Sequence, residues 1–387
     1  MIWDNFKKNK ALTGISTIGF GNIVGSAISS IFWLVLAGLL NTESYGQLSY
    51  FLAIMGVSSV VAMVGGQYTM QVYTSKGLKI EAALYVISII SSLIVGLILF
   101  FVFHDYGLTI LVISISILNF YFAELIGKRL FSKYSLTLIL QKVLFVVLSL
   151  LLFYAIGFEG ILIGYGLSNF IFIKHVFNIL RNEKFNFNLL KEKKKIIISN
   201  YLTELTATAR NHIDEILTVP LFGLAFLGNY FLGLQIVALM YIIPGIVVKY
   251  TIGEDSRGVS TLKIKSITIL ISVVSAFLGA LLLPELLPVL FPQFTETILL
   301  IPILCFAVIP RAIYVMLMSS FLATEKNLHN VIGNIVTISL LVIGIFISFQ
   351  FYGEIGVAYS YLIGMSGGTA YLLIIVWIQK RNKVHSQ

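Results

Sequence analysis

Apolar residues run along this chain in twelve blocks separated by short polar stretches: 14–39, 48–71, 82–103, 107–127, 134–156, 160–180, 196–219, 225–248, 266–288, 297–322, 328–350 and 355–378. A hydrocarbon core of roughly 30 Å needs about 20 apolar residues as a helix, and every block is close to that length or longer. The pattern predicts an all-α polytopic membrane protein with twelve transmembrane helices.

The seventh block departs from the others. It carries Glu204, Arg210, His212, Asp214 and Glu215 within a stretch long enough to cross the bilayer. At helical periodicity Leu202, Leu205, Ala209, Ile213 and Ile216 form an apolar face. Arg210 and Asp214 share one stripe beside it, and Glu204, Thr208, Asn211 and Glu215 form a second. An ionisable side chain in the membrane costs several kcal/mol unless it faces protein or water, so such residues mark a polar pathway. Arg311 lies near the middle of the tenth block, Lys142 about two turns into the fifth, and Lys174 close enough to the inner end of the sixth to snorkel.

Two guanidiniums facing one cavity would grip a phosphate through paired hydrogen bonds. The alternative is structural: Arg210 pairs with Asp214 one turn away, and Arg311 with Glu204 or Glu215. Lys142 either lines the cavity or snorkels. Asp214, Glu215 and His212 either exchange protons or tune the local field, and Glu124 is expected to pair with Lys128 at the interface.

With 58% hydrophobic residues, 11% charged residues and a mean hydropathy of +0.97 over 387 residues, a soluble globule is excluded. The net charge of +9 reads as topology and not as a nucleic-acid surface, because the basic residues sit between apolar runs. If both termini are cytoplasmic, 22 of the 26 Lys and Arg fall in inside segments, the other four lie within spans, and the outside loops hold none. That asymmetry gives an N-in, C-in orientation. The basic N-terminus MIWDNFKKNK precedes a block with no small-residue cleavage site, so a retained first span is expected.

The single Cys305 allows neither an intrachain disulfide nor a thiolate metal cluster, the five histidines have no metal-ligand spacing, and no Walker A sequence occurs. No enzyme, cofactor or metal is expected. The glycine pairs Gly65–Gly66 and Gly367–Gly368 are read as packing positions within helices, and Pro244 with Gly245 as a kink in the eighth span.

Residues 181–195 form a basic linker at the middle of the chain, suited to an anionic leaflet, between a six-helix lobe at 1–180 and another at 196–387. A shift of 182 residues sets Tyr45–Val57 against Leu227–Leu239 and Gly46 against Gly228. At the same offset Asn22, Ser26, Ser29 and Trp33 meet Glu204, Thr208, Asn211 and Glu215. Both helices start on the same side, so the halves form a parallel pseudo-repeat, with a substrate cavity expected between the lobes. Arg210, Arg311, Asp214, Glu204, Glu215, Lys142, Asn22 and Ser26 are the candidate cavity residues.

LAGLLNTESYGQLSYFLAIMGV (Leu36 to Val57), with its Tyr-Gly turn, and RNHIDEILTVPLFGLAFLGNYFLGLQIV (Arg210 to Val237), with its Ile213-Asp214 pair, carry a resemblance to a known family. With them the chain resembles the polysaccharide flippases, the O-antigen-flippase-like branch of the multidrug/oligosaccharidyl-lipid/polysaccharide exporter superfamily. The resemblance implies a multi-pass protein of a prokaryotic cell membrane that moves polyprenyl-diphosphate-linked oligosaccharide to the outer leaflet by alternating access. Its implied partners are that lipid-linked sugar, membrane lipids, and glycan polymerase or glycosyltransferase machinery. One alternative is a multidrug or cation antiporter of the same superfamily, against which stands the absence of Asp, Glu, Lys and Arg from residues 11–42. The other, a membrane glycosyltransferase or polymerase, lacks a loop large enough to hold its catalytic groups.

Overall fold

The computed structural model describes residues 10–183, 185–256, 260–323 and 327–385. Lys7, Lys8, Lys184, Arg257 and Lys326 lie outside the described residues, as do the side chains of Lys10, Lys249, Lys380, Lys383 and His385. Among the described residues the chain is helical, with no strand.

The helices are α1 (Lys10–Leu39), α2 (Thr42–Ala62), α3 (Gln67–Ser75), α4 (Glu81–Phe103), α5 (Tyr106–Gly127), α6 (Phe131–Ile156), α7 (Glu159–Asn169) and α8 (Ile173–Asn182). A short 3-10 turn, Phe170–Phe172, joins α7 to α8. There follow α9 (Phe187–Glu192), α10 (Lys194–Met240), α11 (Ile242–Ser256), α12 (Leu262–Leu290), α13 (Thr297–Ala323), α14 (Asn327–Phe351) and α15 (Ile355–His385). Eleven helical stretches among the described residues are long and apolar enough to cross a membrane. One of them, α10, has 47 residues, about twice what a bilayer needs, and breaks at Gly223, whose φ of 87° and ψ of 174° lie outside the helical region. Divided there, the spans number twelve.

Several expected elements differ in detail. The second span is not continuous: α2 ends at Ala62, and Gly65 and Gly66 have φ of +100° and +72° before α3 begins. These glycines therefore supply a left-handed break and not helix packing, a conformation that β-carbons disfavour. Tyr45 and Gly46 belong to the first turns of α2 and form no turn before it. The helix breaks at Tyr241, one turn before Pro244, because the proline has no N–H to bond the Met240 carbonyl, so the kink expected from Pro244 is present.

Contacts sort the chain into two compact units, Met1–Ser29 with Ile54–Thr208, and Ser30–Ala53 with Ala209–Gln387. The first is centred on Val60, Met70, Tyr85, Phe120 and Val176, drawn from α2, α3, α4, α5 and α8. The second is centred on Phe226, Tyr230, Leu304, Val308, Leu341 and Tyr361, drawn from α10, α13, α14 and α15. Leu93, Leu97 and Phe101 on α4, and Val274, Phe277 and Leu281 on α12, stay exposed, as lipid-facing surfaces do.

Within the second unit Gly46 lies against the carbonyl of Leu224 and the N–H of Gly228, and Gly228 lies against the carbonyl of Thr42 and the N–H of Gly46. A methyl group on either glycine would overlap backbone atoms. Thr42 and Leu224 are themselves 182 residues apart, so the contact is reciprocal: each member of one repeat touches the equivalent of its partner's neighbour. A two-fold relation in that register produces this pattern.

Asp255, at the end of α11, accepts the Lys265 ammonium at 2.5 Å and the Ser319 hydroxyl at 3.1 Å, tying α11 to α12 and α13. Burial pushes its carboxyl upward, but hydrogen bonds from Lys265, Thr261 and Ser319 together with the Lys265 charge outweigh this and hold it below its usual value.

Candidate functional site

The polar stripe of α10 divides at Thr208 between the two units, and its members do different things on either side. Arg210 and Arg311 both belong to the second unit. The Arg210 guanidinium donates to Asn334 Oδ1 on α14 at 3.0 Å and to Asn211 Oδ1 at 3.3 Å, and lies over the Tyr314 ring 5.0 Å from its centroid. Tyr314, on α13, donates to the same Asn334 oxygen at 2.8 Å, which holds ring and guanidinium in register. The Arg210 Nε is buried with no partner. Arg311 donates to the Tyr361 hydroxyl at 3.2 Å and sits over the Tyr241 ring at 4.3 Å.

Neither arginine is ion-paired to Asp214 or Glu215, so the structural pairs entertained for Arg210 with Asp214 and for Arg311 with Glu215 do not form. Glu204 belongs to the other unit and has a different partner, described below. Asp214 is 2% exposed and accepts the Tyr230 hydroxyl at 2.7 Å, while its second oxygen is buried and unpartnered. Glu215 accepts the Ser49 hydroxyl at 2.8 Å and lies 3.5 Å from His212 Nδ1. The Tyr230 and Tyr361 rings meet edge to face with centroids 6.5 Å apart, which links Asp214 through Tyr230 and Tyr361 to Arg311. Tyr241, under Arg311, packs against the cluster that holds Tyr314, under Arg210, so these groups belong to one site.

Its makeup is unusual for the interior of a membrane domain. Two half-buried guanidiniums and two buried carboxylates lie in this unit, and the side chains that hydrogen-bond to them are neutral. Burying charges without pairing them is expensive, and aromatic faces offset part of the cost for the cations. Such an arrangement leaves the charges available to a ligand.

The remaining candidates lie in the first unit. Glu204 is 3% exposed and accepts the Gln67 N–H at 3.0 Å, so its carboxylate caps α3 just after the Gly65–Gly66 break. A carboxylate at a helix N-terminus satisfies orphan N–H groups and meets the positive end of the dipole. The Lys142 ammonium on α6 lies 5.6 Å from the centroids of both Phe145 and Tyr165, whose own centroids are 4.1 Å apart, and it has no carboxylate partner among the described residues. Asn22 donates to the Ile18 carbonyl at 2.8 Å and contacts the Tyr134 hydroxyl, whereas Ser26 is exposed. Glu124 does pair with Lys128, at 2.7 Å, and also meets His175 and the Tyr85 hydroxyl.

Tyr230, Tyr241, Tyr314, Tyr361, Asn334 and Ser49 were not singled out in the sequence. One signal was present: Asn330 and Asn334, one turn apart in an apolar span, lie on the same stripe. The tyrosines carry no such mark, being common in this chain.

No protein-family model and no curated relative matches the chain. Solved structures do resemble it. The chain is similar to a multidrug resistance MATE family transporter of the MOP superfamily in its inward-facing conformation, with 16% identity over 94% of this chain and 95% of that one, at a TM-score of 0.69. The outward-facing conformation of such a transporter matches with 16% identity over 96% of each chain, at a TM-score of 0.65. A MOP superfamily transporter from Pyrococcus furiosus Vc1, described as having a binding pocket of reverse polarity that suggests a different function, matches with 16% identity over 97% of this chain and 96% of that one, at a TM-score of 0.64. The chain has the fold of MATE transporters: an all-α membrane protein of twelve spans in two lobes.

Proposed function

We propose that the chain is an alternating-access membrane transporter whose substrate is an anionic amphiphile, of the polyprenyl-diphosphate-linked oligosaccharide class, carried from the cytoplasmic to the outer leaflet of a prokaryotic cell membrane. The observation that carries this reading is the Arg210 and Arg311 pair, half-buried within the spans, stacked on tyrosines and bonded only to neutral groups. Guanidinium forks match phosphate oxygens in charge and geometry. The surrounding Tyr241, Tyr314, Tyr361 and Asn334 offer rings and hydrogen-bonding groups suited to sugars. Moving two negative charges outward across 100 mV releases roughly 4–5 kcal/mol, enough to favour export with no coupled ion.

A second reading, export of cationic drugs, draws on the likeness to multidrug resistance transporters, which favours it over a flippase. It would rest on Asp214 and Glu215 as the cation-binding groups. The Pyrococcus furiosus neighbour, described as having a pocket of reverse polarity, supports the idea that this fold accommodates either charge.

Proteoliposomes carrying the Arg210→Ala, Arg311→Ala and Asp214→Asn variants separate the two. On the anionic reading, either alanine variant inserts normally but stops delivery of a fluorescent prenyl-diphosphate sugar. Wild-type delivery by both alanine variants, with loss of ethidium export in Asp214→Asn, would establish the second reading in its place.

A further inference from the structure

We propose that residues 185–195, joining α8 to α10, form a binding site for anionic phospholipid headgroups that pins the middle of the chain to the membrane surface. Phe185 and Phe187 stack with centroids 6.2 Å apart and an interplanar angle of 17°. They remain 49% and 47% exposed, although Leu189 and Leu190, a few residues on, turn inward and pack on the apolar core of the first unit. Asn186 fixes that division, since its side chain accepts the Leu189 N–H at 3.3 Å and starts α9 with the rings outside the core.

Four exposed lysines follow at once, Lys191, Lys193, Lys194 and Lys195, interrupted only by Glu192, and none of them forms an ion pair among the described residues. The segment is tethered at bilayer depth on both sides. Phe177 and Ile173 on α8 are 63% and 51% exposed, and Ile198 and Leu202 on α10 are 54% and 51% exposed, as lipid-facing residues are. Lys195 is three residues from Ile198, about 4.5 Å along a helix, so the lysines sit where headgroups are.

Positive charge alone is what topology requires of any inside loop. The added feature is a stacked aromatic pair held out of the protein core beside that charge. Apolar rings entering the acyl boundary with lysines at the phosphate level is the chemistry of an interfacial anchor on an anionic leaflet.

The test uses the full chain. Its one cysteine, Cys305, is buried, so a Phe187→Cys variant takes a nitroxide label selectively. The labelled protein is placed in nanodiscs of phosphatidylcholine alone or mixed with phosphatidylglycerol, and collisions with oxygen and with a water-soluble nickel chelate are compared. In the mixed bilayer the label becomes protected from nickel and accessible to oxygen, and the protection falls when Lys191, Lys193, Lys194 and Lys195 are all changed to Gln. Equal nickel access in both bilayers would overturn the proposal.

Discussion

Arg210 and Arg311 sit in spans without an acidic partner, and what holds each is a tyrosine face and a neutral oxygen. Because guanidinium binds phosphate through two parallel hydrogen bonds, Arg311→Lys is expected to retain part of the affinity for a prenyl diphosphate and Arg311→Ala none, in a direct binding titration. Glu204 has a different task. As the cap of α3, its loss in Glu204→Ala is expected to lower the thermal midpoint of the detergent-solubilised protein, by a cost of about 1 kcal/mol, while Glu204→Gln keeps an acceptor oxygen and loses less. Asp255 sets a pH dependence. Its carboxyl titrates lower in the folded protein than its usual 3.8, so the stability it contributes is complete above that value and is lost as pH falls through the lowered one. The midpoint of the wild type should therefore drop on acidification below that range more steeply than that of Asp255→Asn.

At the scale of elements, the breaks are as informative as the helices. The Gly65–Gly66 turn interrupts a span that hydropathy alone reads as continuous, because hydropathy senses apolar length and is blind to backbone angle, whereas Gly223 falls in the gap between the seventh and eighth apolar blocks and the break at Tyr241 lies one turn before Pro244. The reciprocal contact of Gly46 and Gly228 depends on the absence of two β-carbons. Gly46→Ala forces backbone apart, where overpacking costs about 1–3 kcal/mol, and should reduce the folded yield, while alanine at Gly38, which has open space around it, should not. Fluorescence-detected size exclusion of the two variants checks this.

For the whole molecule, the twelve spans were legible because each must be apolar over the thickness of a bilayer, and the 182-residue repeat because Gly46 and Gly228 must both be small. The charged members of the site were legible too, since Arg210, Asp214, Glu215 and Arg311 stand out against apolar neighbours. Their partners were not. Tyr241, Tyr314 and Tyr361 resemble any other span aromatic until the fold brings them together, and the separate task of Glu204 depends on the break between α2 and α3, at a Gly65–Gly66 pair that the sequence reads equally well as helix packing. The substrate is where sequence resemblance and structural likeness part, one towards a lipid-linked anion and the other towards multidrug export. The decisive measurement is equilibrium binding of a short-chain prenyl diphosphate and of a quaternary ammonium drug to the purified wild type and to the Arg210→Ala/Arg311→Ala double variant. The account predicts that the wild type binds the diphosphate and that the double variant loses it. Binding of the drug by both proteins, with no binding of the diphosphate by either, would contradict it.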